Sequence, residues 1–382
     1  MTIEKPALRP QNPRFSSGPC AKIPGWSAGE LARALTGRSH RSTPGKARLK
    51  QAIALTREVL EVPPSHLVAI VPASDTGAVE MALWSLLGAR AVDLLAWESF
   101  GAGWVKDVVS ELKLPDARVL KAPYSQLPDL AQVDFSHDVV FTWNGTTSGV
   151  RVPDAAWIPA GRQGLTICDA TSAAFAQRLD FAKLDVVTFS WQKALGGEAA
   201  HGMLVVSPRA VERLETWRPP WPLPKIFRLT KGGKLDRAIF EGETINTPSM
   251  LCVEDWILAL EWARSIGGLD ALVARADANA GLLHDWADRS PWAAVLAAVK
   301  ETRSNTSVCL ALRDPAKAAR ARDIAKLLEE EGVAFDIASH RDAPPGLRIW
   351  CGATIERADI AALLPWLDYA YRKVTAEGGP SS

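Results

Sequence analysis

Cysteine is scarce and scattered. The chain holds five (Cys20, Cys168, Cys252, Cys309, Cys351), an odd number with no C-x-x-C pair, so neither a disulfide framework nor a zinc ribbon is indicated. Charge of one sign is also missing. Lys and Arg total 44 against 43 Asp and Glu, a net charge of +1, which excludes a bulk field drawing the protein to nucleic acid or anionic lipid. No apolar run reaches the roughly 18 residues of a membrane span, and the opening MTIEKPALRPQNPRF lacks the apolar stretch of a signal peptide. These absences lead us to expect a soluble cytoplasmic protein with no nucleic-acid or membrane partner, whose recognition of any anion is local.

Several chemical signatures are absent or defective. Residues 25–29 (GWSAG) have G-x-S-x-G spacing, but a nucleophile elbow needs a preceding strand, and Pro19 and Pro24 spoil one. Gly101-Ala102-Gly103 opens like a dinucleotide fingerprint, yet Lys106 stands where the third glycine belongs. No H-E-x-x-H, paired Cys/His spacing or Walker loop occurs, so no metal is expected.

What is present is an ordinary globular chain of 382 residues, 47% hydrophobic and 23% charged, with an unusual balance of 15 Trp to 3 Tyr. Its length suits two or three domains. Residues 46–61 (KARLKQAIALTREVLE) have helical apolar spacing and end at Pro63-Pro64. Short apolar runs at 67–73, 92–97, 138–143, 165–169, 185–190 and 202–207 then alternate with helical stretches at 77–87 and 103–112. This pattern predicts an α/β fold with a mostly parallel sheet covered on both faces. Residues 217–236 are too rich in Pro and Gly for a regular element and read as a functional or interface loop. Beyond Ser249 come two long helices, the apolar runs SVCLAL, VAFDI and LRIWCG, and further helices. We expect an N-terminal segment over 1–45 that joins the small domain and the active site, a large domain over 46–265 and a small α+β domain over 266–382.

The chemistry concentrates at two strand ends. Asp169 closes LTICD, and Lys193 follows DVVTFSWQ on a short loop. Ligands of open α/β sheets bind at the carboxyl ends of the strands. A lysine and an aspartate so placed are what pyridoxal phosphate requires, the amine for a Schiff base and the carboxylate to hold the pyridine nitrogen protonated. Taken singly, Asp169 would also suit a helix N-cap, Trp104 a core aromatic, and Ser74-Asp75-Thr76 a plain capping cluster.

The sequence resembles the phosphoserine aminotransferases of the fold-type-I (class V) pyridoxal-phosphate enzymes. The resemblance rests on FSSGP at 15–19, SHRS at 39–42, Trp104, NGTTSGV at 144–150, Asp169, SWQK at 190–193, NTPS at 246–249, SHR at 339–341 and Arg348. It implies pyridoxal 5'-phosphate as cofactor, with Lys193 as the Schiff-base lysine, Asp169 on the pyridine nitrogen, Trp104 stacked on the ring and Thr146 on the phenolic oxygen. Ser74, Asp75, Thr76 and Gln192 would hold the phosphate, joined by Asn246 and Thr247 from the neighbouring subunit of a homodimer with shared sites. An acidic Asp75 departs from the family's often glycine-rich loop. His40, Arg41, His340 and Arg341 would meet the distal phosphate or side-chain carboxylate, and Arg348 the α-carboxylate, of substrates such as phosphoserine and glutamate. The implied reaction makes O-phosphoserine from 3-phosphohydroxypyruvate, and some relatives also act on 4-phosphohydroxythreonine in pyridoxine synthesis.

Overall fold

The computed structural model describes residues 3–376. Helix α1 (Thr43–Val59) begins where Ser42 accepts the Gly45 N–H, with Pro44 in the first turn. It is followed by β1 (Leu67–Pro72), α2 (Ser74–Leu86), β2 (Val92–Ala96) and α3 (Ser99–Lys106). Helix α3 starts earlier than its apolar spacing predicts, because the Glu98 carboxylate caps it, and it runs on as a π-turn over Asp107–Glu111. Then come β3 (Ala117–Lys121), β4 (Asp138–Thr142), a small hairpin of β5 (Asn144–Gly145) and β6 (Val150–Arg151), β7 (Thr166–Asp169), β8 (Val186–Ser190), β9 (His201–Val206) and α4 (Pro208–Thr216).

Seven strands form one sheet in the order β1-β9-β8-β7-β4-β2-β3. Strand β9 runs antiparallel to both its neighbours, and every other pairing is parallel. The α/β class with a mostly parallel sheet is therefore as the alternation of elements predicted. Every residue of β2, β4, β7, β8 and β9 is buried, which is why these strands read as unbroken apolar runs rather than alternating ones. Leu49 and Ile53 of α1 belong to the core on one face, and Val79 and Leu83 of α2 with Leu214 of α4 to the core on the other. The carboxyl ends of β1, β2, β4, β7 and β8 share one edge, and the site lies there.

Residues 217–236 carry more order than their composition suggests. A 3-10 turn at Lys225–Phe227 precedes a hairpin of β10 (Thr230–Lys231) and β11 (Lys234–Leu235), closed by Gly232 and Gly233 at positive φ. The indole N–H groups of Trp217 and Trp221 donate to the Leu87 and Trp84 carbonyls at 3.0 and 2.9 Å. The loop thereby satisfies carbonyls that the end of α2 leaves open.

The remaining elements are α5 (Met250–Ser265), α6 (Gly268–Arg289), β12 (Ala293–Val295), β13 (Ser307–Leu312), α7 (Ala321–Glu330), β14 (Leu347–Trp350) and α8 (Arg357–Ala376). Strands β12, β13 and β14 make an antiparallel sheet. VAFDI is not a strand; it makes a single bridge, Phe335 to Arg14, and the next residue, Ala338, bridges to Leu347. The N-terminal segment lies along this sheet, its Pro13 and Phe15 carbonyls accepting the N–H groups of Phe335 and Trp350 at 2.8 and 3.0 Å. The core of this sheet and that of the large sheet's α1 face form one continuous cluster. Trp191, just before Gln192, stacks on Trp256 of α5 with centroids 5.5 Å apart and planes 9° apart. Among the described residues no helix is long and apolar enough to cross a membrane.

His201 opens β9 in a buried place against Trp191, and its Nε2 accepts the Ser249 N–H at 3.0 Å. Burial pushes its pKa down from 6.5 to about 4. As pH falls below 6.5 the unfolded chain takes up this proton first, so stability drops until the folded ring also titrates near 4. Chemical denaturation between pH 7 and 5 is expected to show His201→Gln with the shallower loss, by at most about 1.4 kcal/mol per pH unit; parallel losses would disprove the assignment.

Candidate active site

A cavity of about 260 Å³ opens at the carboxyl edge of the large sheet. Its walls come from separate elements. Gly18 lies on the N-terminal segment, Ser74 to Thr76 at the start of α2, Trp104 on α3, Thr142 at the end of β4 and Thr146 beyond it, Asp169 at the end of β7 and Thr171 beyond it, and Gln192 and Lys193 after β8. Parallel strands make this convergence possible, because each delivers its following loop to the same edge.

Lys193 is buried, and its amine donates to the Ser17 carbonyl. Burial, aided by the nearby Arg348 guanidinium, lowers its pKa, while Cys20, Asp169 and Glu98 oppose that shift. A lowered value enlarges the neutral, nucleophilic fraction of the amine. The Cys20 thiol beside it does not compete as a nucleophile, since burial pushes its pKa up to about 12. Gly18 stands so close that a Cβ there would lie 2.5 Å from Lys193 Nζ, and its φ of +143° is itself a glycine conformation.

Across the cavity, Asp169 Oδ2 accepts the Trp104 indole N–H at 3.0 Å and Oδ1 accepts the Thr171 N–H at 3.0 Å. Trp104 is held by Glu98, whose Oε1 takes the Gly101 N–H at 2.8 Å and whose Oε2 takes the Thr147 hydroxyl at 2.7 Å. One buried carboxylate thus ties the Trp104 helix to the turn that carries Thr146. The Thr146 hydroxyl donates to Ser172 at 2.8 Å, and its carbonyl accepts the Ser307 hydroxyl at 2.6 Å.

At the start of α2, Ala73 and Ser74 are both left-handed, with φ of 66° and 55°. Gly77 N–H already bonds to the Ala73 carbonyl and Ser74 N–H to Ala200. The Asp75 and Thr76 N–H groups of the first turn remain for an anion, with the helix dipole behind them. The Asp75 side chain is buried and faces Asp169, Thr171 and Thr188, which is how an acidic residue is accommodated in this loop.

The cationic residues divide. His340 Nδ1 lies 3.2 Å from the Ser99 hydroxyl, which itself meets the Tyr124 hydroxyl at 2.7 Å, and the His340 ring is 6.1 Å from that of Phe100 on the cavity wall. Burial and the charge of Arg348 lower the His340 pKa, against Asp342. Arg348, on β14, has a buried Nε with no partner. Arg341 is 87% exposed and loosely paired with Asp342 at 3.8 Å. None of His40, Arg41, His340, Arg341, Arg348, Asn246 and Thr247 is among the residues that line this cavity. The caps of α1 and α5 fix the segments of His40, Arg41, Asn246 and Thr247 elsewhere, with Arg41 exposed near Glu243 and with Asn246 and Thr247 exposed. A single chain therefore does not gather Arg41 with Arg341 and Arg348 into one pocket.

No family model matches the sequence. Proteins named phosphoserine aminotransferase from Methanosarcina mazei and Methanosarcina barkeri are each 58% identical to it, over 96% and 97% of this chain and 99% and 100% of theirs. The chain belongs to the phosphoserine aminotransferase family. A solved phosphoserine aminotransferase from Cytophaga hutchinsonii matches the fold with a TM-score of 0.80 at 20% identity, covering 94% of this chain and 99% of that one. A phosphoserine aminotransferase from Trichomonas vaginalis, solved with PLP bound, matches at a TM-score of 0.76 and 17% identity, over 94% of this chain and 100% of that one.

The cavity of this phosphoserine aminotransferase relative has the chemistry of a site for such a cofactor. Asp75 Oδ1, Thr142 Oγ1, Thr171 Oγ1 and Gln192 Oε1 all line it, buried and without hydrogen-bond partners. Buried polar atoms rarely stay unpaired, and a polar ligand would satisfy them. Glu98, Ser17, Gly18, Thr142, Thr171 and Ser172 were not singled out from sequence. Only FSSGP gave a signal for Ser17 and Gly18.

Two variants test this geometry. Lys193→Ala is expected to lose both turnover and the visible absorbance of the reconstituted protein, and an unchanged spectrum would refute the assignment. Gly18→Ala forces a methyl group onto Lys193 Nζ and is expected to lower kcat on the order of 100-fold; wild-type turnover in that variant would mean that the close approach is not needed.

Proposed function

We propose that this chain transfers the amino group of L-glutamate to 3-phosphohydroxypyruvate, giving O-phospho-L-serine and 2-oxoglutarate, as a pyridoxal-phosphate enzyme of serine biosynthesis. The observation that carries this reading is the 58% identity, over nearly the whole chain, to two proteins named for that activity. When bound, the cofactor supplies the carbonyl carbon that holds the amino group and a ring that accepts electrons from the α-carbon.

The chain's own residues supply the rest. Lys193 Nζ, whose pKa burial lowers so that its neutral fraction grows, takes the proton from the substrate α-carbon and returns it in the reverse half-reaction. Asp169 holds the pyridine nitrogen in its protonated form, and Trp104 offers an indole to stack on the ring. The Asp75 and Thr76 N–H groups, with Ser74 and Gln192, hold the phosphate, and Thr146 meets the phenolic oxygen. Arg348 clamps the α-carboxylate with the bidentate geometry that lysine lacks.

His340 and Arg341 face the distal phosphate or carboxylate. The exposed Arg41, Asn246 and Thr247, with the largely buried His40 beside them, complete the cavity of a neighbouring subunit in a cytoplasmic homodimer. The same cavity would admit 4-phosphohydroxythreonine, a phosphate ester of similar charge, in pyridoxine synthesis.

The deciding assay follows 2-oxoglutarate-dependent turnover with phosphoserine, serine and alanine as donors. Phosphoserine is expected to be preferred, because the small neutral donors leave the cationic groups unpaired, and a preference for serine or alanine would overturn the substrate assignment in favour of a serine–glyoxylate type of transamination. Arg348→Ala is expected to raise KM for both glutamate and phosphoserine by roughly 10- to 100-fold, the loss of a charged hydrogen bond; a rise for one substrate alone would refute a shared carboxylate clamp.

A further inference from the structure

The carboxyl group of Asp75 has no part in the reaction as derived above, where only its backbone N–H is used. Its side chain is nevertheless buried on the cavity wall, 6% exposed like Asp169, and Oδ1 has no hydrogen-bond partner. It meets the carboxyl of Asp169 within hydrogen-bonding reach, with the Thr171 and Thr188 hydroxyls also facing it. Two buried carboxyls in contact do not both ionise.

The surroundings decide which one keeps the proton. Asp169 receives two N–H donors, the Trp104 indole and the Thr171 backbone, and it interacts with the charge of Lys193. Among the described residues Asp75 receives no N–H donor, and no cation is among the groups that face it. The other acidic groups nearby are Glu98, whose pKa the charge of Asp169 helps to raise, and the Cys168 thiol, which burial keeps protonated. The carboxyls of Asp169 and Glu98 disfavour a further negative charge in this part of the cavity, and the neutral thiol supplies no compensating positive one.

We propose that Asp75 is a positioning residue: its protonated carboxyl donates a hydrogen bond to Asp169, so that Asp169 alone presents a fixed negative charge to the pyridine nitrogen. This rests on the role given to Asp169 in the proposed function. Burial and the charge of Asp169 raise the Asp75 pKa well above the ordinary carboxyl range, in the same sense.

Asparagine tests this directly, since it keeps the shape and a donor N–H but carries no titratable proton. Asp75→Asn and Asp75→Ala are reconstituted with pyridoxal phosphate. Affinity is read from quenching of tryptophan fluorescence, and the pH midpoint from the visible spectrum of the bound cofactor. Asp75→Asn is expected to leave the midpoint unmoved, whereas Asp75→Ala weakens binding roughly tenfold by removing a hydrogen bond to a charged group.

A midpoint that moves in Asp75→Asn would mean that Asp75 is ionised and would overturn the proposal, as would wild-type affinity in Asp75→Ala. If Asp75→Ala does not fold, the midpoint of the isosteric Asp75→Asn still decides. Asp169→Asn separates the two readings: unchanged affinity and spectrum there would remove the assigned role of Asp169 itself, and the proposal with it.

Discussion

Burying the amine of Lys193 is the constraint from which most of this architecture follows. A lysine taken out of water loses its hydration and must find polar partners in the protein. Here it finds one backbone carbonyl, that of Ser17, and the compensating charges of Asp169 and Glu98 at the cavity wall. The approach of the Ser17–Gly18 backbone is possible only because residue 18 has no Cβ. Trp191 is wedged against Trp256 immediately before Gln192 and Lys193, an aromatic pair worth about 0.5–1.5 kcal/mol beyond its buried area. The strand end from which the lysine emerges is thus anchored from below.

Carboxylates organise the opposite wall. Glu98 does by side chain what a longer strand would do by backbone, joining α3 to the turn after β4 so that Trp104 and Thr146 keep a fixed separation. Asp169 is oriented by the indole and by its own downstream backbone. Such bonds from rigid elements locate a functional group better than loop side chains do.

Much of this was legible in the sequence, for definite reasons. Asp169 and Lys193 could be placed because buried parallel strands are short, apolar and sharply ended, so a polar residue at the boundary is conspicuous. The reversed direction of β9 was not legible, since its apolar run is the same whichever way it pairs. Glu98 escaped notice because its partner Thr147 lies 49 residues away, and a single glutamate before a serine carries no local signal. Strand β3 (ARVLK) is half-exposed with two cations, and so lacks the apolar run by which its neighbours are found. The dipeptides His40-Arg41 and His340-Arg341 look equivalent in sequence, yet one sits at the capped start of α1 and the other beside Phe100. Which cavity a surface residue serves depends on three-dimensional placement that local spacing does not encode.

The N-terminal segment is hydrogen-bonded at Phe15 to Trp350 of the small sheet, and only two residues later its Ser17 carbonyl holds the Lys193 amine. Arg348, on that same strand β14, perturbs the amine electrostatically. The small sheet and the lysine are therefore the two ends of a short tether. Any tilt of the small sheet toward or away from the large one would pull on the carbonyl that restrains the amine, so the position of the small sheet and the freedom of the lysine are mechanically linked.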